Sequence, residues 1–280
     1  MVMTVRELFA VVRRRLQRKY PDHQARWWAA LLIEERLGLP RGAHLLMPQR
    51  AVTAEDVAAV RKDAAAVAAG RPLQQVLGWW EFRGLRLKVT ADVLIPRPET
   101  EWLVEGVLQM VGADFSGRVW DVGTGSGCIA VAVKTARPSA AVYGFEVSAP
   151  ALAVARENAA LHGAAVRWVA GDFLDAAVWA AVPGPEVLIS NPPYLAADDV
   201  VAPSVRDYEP PGALFPGADV LVFYRELAAV ARQRRPAVVG LEVNPRFRKE
   251  IQQLFADYRP VMPAGVIESP YLLFLERDVA

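Results

Sequence analysis

Val119-Trp120-Asp121-Val122-Gly123-Thr124-Gly125-Ser126-Gly127-Cys128 reads as a buried strand running into a glycine loop. Ile129–Lys134 behind it continues as a small-residue helix that can pack closely on a sheet. The glycines allow sharp turns and close backbone approach to a ligand. A dinucleotide fingerprint needs G-x-G-x-x-G, with its last glycine at the helix start. Here the third glycine is Gly127, so the pattern is G-x-G-x-G and Cys128 stands where that fingerprint wants glycine. No G-K-[ST] follows, so the loop is not a phosphate-cradling P-loop either.

Asp121, just ahead of the loop, would repel a phosphate and suits a cationic or amino-bearing ligand. S-adenosylmethionine, with its sulfonium and α-amino group, has that polarity. Ala141–Phe145 reads as the next strand, with Glu146 at its carboxyl end about 20 residues past the loop, where an acidic side chain can accept from both ribose hydroxyls. Val166–Ala170 reads as a third strand, ending in Gly171-Asp172-Phe173. Asp172 can accept from an adenine amino group and Phe173 can lie along the adenine face. Singly, such acids are solvated strand-end charges; in order, one βα unit apart, they outline an adenosyl pocket.

A further short apolar run, Glu186–Ser190, ends in Asn191-Pro192-Pro193-Tyr194. That places an amide, two prolines and a ring at the carboxyl end of a strand, where open α/β sheets bind ligands. The prolines lack N–H groups and stiffen the turn, so the loop offers carbonyl acceptors with few competing donors. Asn191 adds a side-chain carbonyl and Tyr194 a flat face. Such a loop suits a planar NH2 group.

Asp121–Gly127 (with Thr124 and Ser126 between the glycines), Gly171–Phe173 and Asn191–Tyr194 resemble the class I S-adenosylmethionine methyltransferases that act on planar exocyclic nitrogens. Leu94-Ile95-Pro96-Arg97-Pro98-Glu99-Thr100-Glu101, with Pro72–Gly78 and Glu81–Val89, narrows the resemblance to the HemK/PrmC family. The resemblance implies methylation of the side-chain amide nitrogen of the glutamine in the Gly-Gly-Gln motif of class-1 peptide chain release factors. It also implies that Asn191 and the Pro192 carbonyl take the two amide N–H groups. Tyr194 would pack on the amide plane, with Pro193 beside it. Arg97 and Glu99 would help position substrate or loop, and no metal is needed. Glu146 stands where the family usually has aspartate and Phe173 where tryptophan is common. Beyond about Tyr224 the resemblance thins: Leu241-Glu242-Val243-Asn244-Pro245 occupies the place of the family's Glu-Ile-Gly.

The whole chain agrees. Its 280 residues can hold one large or two modest domains, and 53% hydrophobic with 22% charged residues describes a globular protein. A net charge of +1 leaves no broad footprint for nucleic acid. The single cysteine cannot form an internal disulfide, and the charged start and lack of a long apolar run predict neither a signal peptide nor a membrane span. A cytoplasmic monomer is the expectation. Before Gly70 the pattern is helical: Thr4 with Glu7 and Thr53 with Asp56 open helices, Asp22 starts another, and Gly38 and Gly70 close two of them. Residues 76–89 alternate around Arg83-Gly84, a hairpin signal. The expected fold is thus α/β, a doubly wound, mainly parallel sheet preceded by a small helical bundle and a β-hairpin linker. Boundaries fall at 1–72 for the bundle, where substrate docks, 73–95 for the linker and 96–280 for the methyltransferase domain. The rival readings are a ribosomal-protein glutamine methyltransferase and a nucleic-acid exocyclic-amine methyltransferase, the latter opposed by the near-neutral charge.

Overall fold

The computed structural model describes residues 3–278, which form two compact units: residues 3–78 with 202–208, and residues 79–201 with 209–278. In the first, helix Val5–Leu16 opens with a capping box, Thr4 N donating to the Glu7 carboxylate at 2.8 Å and Glu7 N to Thr4 Oγ1 at 3.3 Å. Asp22–Leu37 ends at Gly38 in the left-handed region, and Ala54–Ala69 ends at Gly70. Leu8, Val12, Leu32, Ile33, Val60 and Val67 fill the core between these helices. Asp22 pairs with Arg13 at 2.7 Å.

The second unit begins with a hairpin, Trp79–Phe82 against Leu85–Lys88. Its two turn residues, Arg83 and Gly84, both have positive φ (50° and 75°), the geometry that matches strand twist in a two-residue loop. Seven strands follow: β1 (Arg118–Val122), β2 (Ala141–Glu146), β3 (Val166–Ala170), β4 (Val187–Ser190), β5 (Val238–Glu242), β6 (Tyr258–Val261) and β7 (Leu272–Arg277). Their order across the sheet is β6-β7-β5-β4-β1-β2-β3, with β7 antiparallel to both neighbours and the other pairs parallel. Period-two alternation sends Val119 and Ile189 into one core and Trp120 and Leu188 into the other, so helices cover both faces. The order reverses beside β1, which lies between β4 and β2. A doubly wound sheet binds ligands at such a switch point.

Helix Pro98–Val111 seats on β5 and β7 through missing side chains. A Cβ on Gly240 of β5 would stand 2.5 Å from Val107 Cγ2, and one on Gly106 2.3 Å from the Phe274 ring of β7. The close approach fixes the first turn of this helix, which carries Thr100. Among the described residues no helix is long and apolar enough to cross a membrane.

Candidate active site

The glycine loop leaves β1 and folds against β2, with Gly123 N and Thr124 N both donating to Phe145 O at 3.0 Å. Gly123 and Gly125 have φ of 70° and 55°, and a Cβ on either would meet no atom within 4 Å. Both glycines line a cavity of about 320 Å³. The absent side chains therefore leave room for a ligand of nucleoside size. Thr124 and Ser126 also line it, whereas Gly127 does not; its missing Cβ would come 3.1 Å from Ala155 Cβ, so it serves helix packing.

Asp121 is fully buried and is not part of the cavity wall. Its Oδ2 accepts from Ala130 N at 3.0 Å and from the Thr124 hydroxyl, bracing both ends of the loop. Its Oδ1 has no hydrogen-bond partner among the described residues. Burial first, and then the charge of Glu146, push its pKa up to about 7, against the pull of those two hydrogen bonds. A buried, underused carboxylate next to a second acid favours a ligand that carries positive charge.

Glu146 lines the cavity from the end of β2. Its oxygens accept from Gly125 N at 2.8 Å and Ser148 N at 2.9 Å, which fixes the carboxylate and leaves each oxygen a further lone pair. Asp172 lines the cavity after β3, its Oδ1 accepting from Leu174 N at 3.0 Å. Phe173 closes the wall from within an aromatic cluster that includes Phe145 and Trp120. Cys128 also lines the cavity, but burial pushes its thiol up to about 12, so it is not a nucleophile at neutral pH.

On the other side of β1, Ser190 Oγ donates to Val122 O at 2.7 Å and holds the two strand ends together. Asn191, Pro192 and Pro193 follow directly and line the cavity. Asn191 Nδ2 donates to Thr100 Oγ1 at 3.1 Å, and the Thr100 hydroxyl donates to Glu242 Oε2 at 2.7 Å. Tyr194 is not part of the cavity wall itself, and its hydroxyl donates to Glu242 Oε1 at 3.0 Å. Glu242 is 1% exposed, and burial is the main cause that pushes its pKa up to about 7. Asn244 Nδ2 holds the same loop from behind, donating to Tyr194 O at 3.2 Å and Asp199 Oδ2 at 2.8 Å.

Arg97 and Glu99 do not line the cavity. Arg97 is instead engaged by Glu209, itself 3% exposed, at 2.5 Å, while Ile95 N donates to the other Glu209 oxygen at 2.9 Å. This pair joins the Pro96 wall of the cavity to its Pro210 wall. Buried Asn158 plays a similar part for the glycine loop, donating to Ser126 O at 2.8 Å and exchanging hydrogen bonds with the Lys88 backbone. Asn158 and Glu209 lie outside every sequence motif, and Thr100 and Glu242 lie in segments whose pattern gives them no role; the fold brings all four to the site.

Two family models match, the Methyltransferase small domain over residues 100–207 and the PrmC N-terminal domain over residues 7–78. A release factor glutamine methyltransferase of Deinococcus radiodurans is 40% identical over 254 residues, covering 87% of this chain and 87% of that protein. One of Geobacter sulfurreducens is 38% identical over 232 residues, covering 82% and 80%. The chain belongs to the release factor glutamine methyltransferase family. It is a methyltransferase, and its cofactor is S-adenosylmethionine. A 16S rRNA N2 G1207 methyltransferase of T. thermophilus, solved with AdoMet and guanosine, shares the fold at 16% identity and a TM-score of 0.52, covering 71% of this chain and 50% of that one. In this member of the family the glycine cradle and the two acidic strand ends that line the cavity fit a cationic adenosyl ligand.

Proposed function

We propose that the protein transfers a methyl group from S-adenosylmethionine to the side-chain amide nitrogen (N5) of the glutamine in the Gly-Gly-Gln motif of class-1 peptide chain release factors. One observation carries the reading. Asn191 lines the cavity and gives one N–H of its NH2 to Thr100, which leaves its Oδ1 to accept from a planar N–H donor.

Glu146 would hold the ribose hydroxyls and Asp172 the adenine amino group, with Phe173 against the adenine. Gly123, Thr124, Gly125 and Ser126 would cradle the ligand, and Asp121 and Gly127 would hold the loop in shape. Bound there, S-adenosylmethionine supplies an electrophilic methyl group on a sulfonium. Asn191 Oδ1 accepts one N–H of the substrate amide and the Pro192 carbonyl accepts the other. Together they turn the nitrogen toward the cavity and draw electron density onto it, a fixed-dipole effect that is strongest where water is excluded. Pro193 stiffens the loop. Tyr194 packs beside the amide while its hydroxyl stays on Glu242. Arg97 acts on substrate position through Glu209, and Glu99 through its charge beside Tyr194 and Glu242.

The helical bundle and the hairpin that follows it are assigned to docking and linking, the sheet unit to chemistry. The +1 net charge supports a protein substrate over nucleic acid, and a monomer suffices. The single buried thiol is in keeping with a cytoplasmic setting. Transfer of labelled methyl groups to a panel of an unmethylated release factor, ribosomal proteins and tRNA tests the substrate class. Label on the release factor alone is expected; label on the RNA instead would overturn the reading.

A further inference from the structure

Glu242 lies at the carboxyl end of β5, buried, and takes no part in the chemistry described above. Each of its side-chain oxygens accepts one hydroxyl hydrogen, Thr100 on Oε2 and Tyr194 on Oε1, and its own carbonyl accepts the Tyr224 hydroxyl at 2.9 Å. A carboxylate only accepts. With Glu242 ionised, Thr100 therefore donates toward it and presents only a lone pair to Asn191. That leaves Asn191 one favourable orientation, with Nδ2 toward Thr100 and Oδ1 toward the cavity. The same carboxylate fixes the Tyr194 ring by its hydroxyl.

We propose that Glu242 is the positioning residue of this site, which sets through Thr100 the direction of the Asn191 carboxamide and directly holds Tyr194. The assignment rests on the proposed role of Asn191 as the acceptor of the substrate amide. A neutral amide in place of Glu242 carries a donor at one end. If that end meets Thr100, the hydroxyl turns to donate to Asn191, and the carboxamide flips to show its NH2 to a substrate that is itself a donor. If it meets Tyr194, the phenol loses its acceptor. Either outcome spoils one arm of the pair.

The test compares Glu242→Gln, Thr100→Val and Thr100→Ser in the full-length protein, with release factor and S-adenosylmethionine. Glu242→Gln and Thr100→Val are expected to lower kcat at least about tenfold while KM for the release factor stays within about threefold, the split expected when orientation rather than binding is lost. Thr100→Ser, which keeps the hydroxyl, is expected to lose less than Thr100→Val. The double variant should be no slower than the worse single one, because both break one relay. Calorimetric affinity for S-adenosylhomocysteine unchanged within about twofold shows an intact pocket. The Asn191 side-chain amide protons, observed by NMR, should shift in both Glu242→Gln and Thr100→Val. Thr100→Val examines the relay in a chain that keeps Glu242, so it decides the matter even if Glu242→Gln does not fold. Wild-type kcat in both variants, with Asn191→Ala inactive, would overturn this assignment alone. Turnover by Asn191→Ala would overturn the proposed function, and this assignment with it.

Discussion

Asn191 Nδ2 stands 3.1 Å from Thr100 Oγ1, so a residue of the first turn of helix Pro98–Val111 sets the side chain that follows β4. The two residues are 91 positions apart in the chain, and the contact exists because that helix packs on the sheet without side chains at Gly106 and Gly240.

Asn191→Ala is expected to remove methyl transfer and leave the pocket standing. Loss of one fixed dipole at the reacting group costs on the order of 10²–10³ in kcat. Single-turnover transfer and calorimetry with S-adenosylhomocysteine check this: turnover should collapse while affinity stays within about severalfold.

Glu146→Ala is expected to weaken S-adenosylmethionine binding by roughly 1.5–3 kcal/mol, the worth of hydrogen bonds to a charged group. It also leaves Gly125 N without its acceptor, so the loop loses a brace as well as a ligand contact. A dissociation constant equal to wild type, by calorimetry, would remove Glu146 from the ribose site.

Much of this site is legible in the sequence, and the legible part has a common physical cause. Strand alternation, Gly123-x-Gly125-x-Gly127 and the acids closing β2 and β3 are local signals, because backbone conformation and the end of a strand are local properties. Capping at Thr4 and Thr53 and the turn at Arg83-Gly84 are local too, and the structure places each where the residues indicate. The relay is not local. Thr100 and Glu242 are 142 residues apart, and the segments that hold them do not show that they meet. The same reason hides Glu209, 112 residues from Arg97, whose guanidinium it engages behind the cavity wall. Asp121 is legible as an acid at a loop, but its full burial comes from the sheet around it.

Gly240→Ala is expected to destabilise the protein by about 1–3 kcal/mol, the usual cost of inserting a methyl group into a filled core. The new Cβ would press on Val107 and Leu103 of the helix that carries Thr100. Urea denaturation should show a lower midpoint. Activity should fall as well if the helix shifts; an unchanged midpoint would mean that the helix is free to move.

The contribution of Glu242 and Asp121 to stability should fall as pH rises through the acid range. Glu242 is raised from 4.5 to about 7 by burial first and by the charge of Glu99, opposed by the Thr100 and Tyr194 hydrogen bonds and by Arg97. Asp121 is raised from 3.8 to about 7. The folded chain therefore binds these protons more tightly than the unfolded chain. Their stabilisation is complete below the unfolded values, declines as pH rises, and is lost above about 7. Glu242→Gln does not titrate there, so its stability relative to wild type should improve by up to about 3 kcal/mol between about pH 4 and pH 8. Parallel denaturation curves for the two proteins across that range would contradict the assignment.

The most direct measurement is peptide mass spectrometry of an unmethylated class-1 release factor incubated with this protein and S-adenosylmethionine. The expected result is one added methyl group on the side chain of the Gly-Gly-Gln glutamine, absent when Asn191→Ala replaces the wild-type enzyme. An unmodified glutamine, in the presence of an enzyme that binds the cofactor by calorimetry, would contradict the proposed substrate.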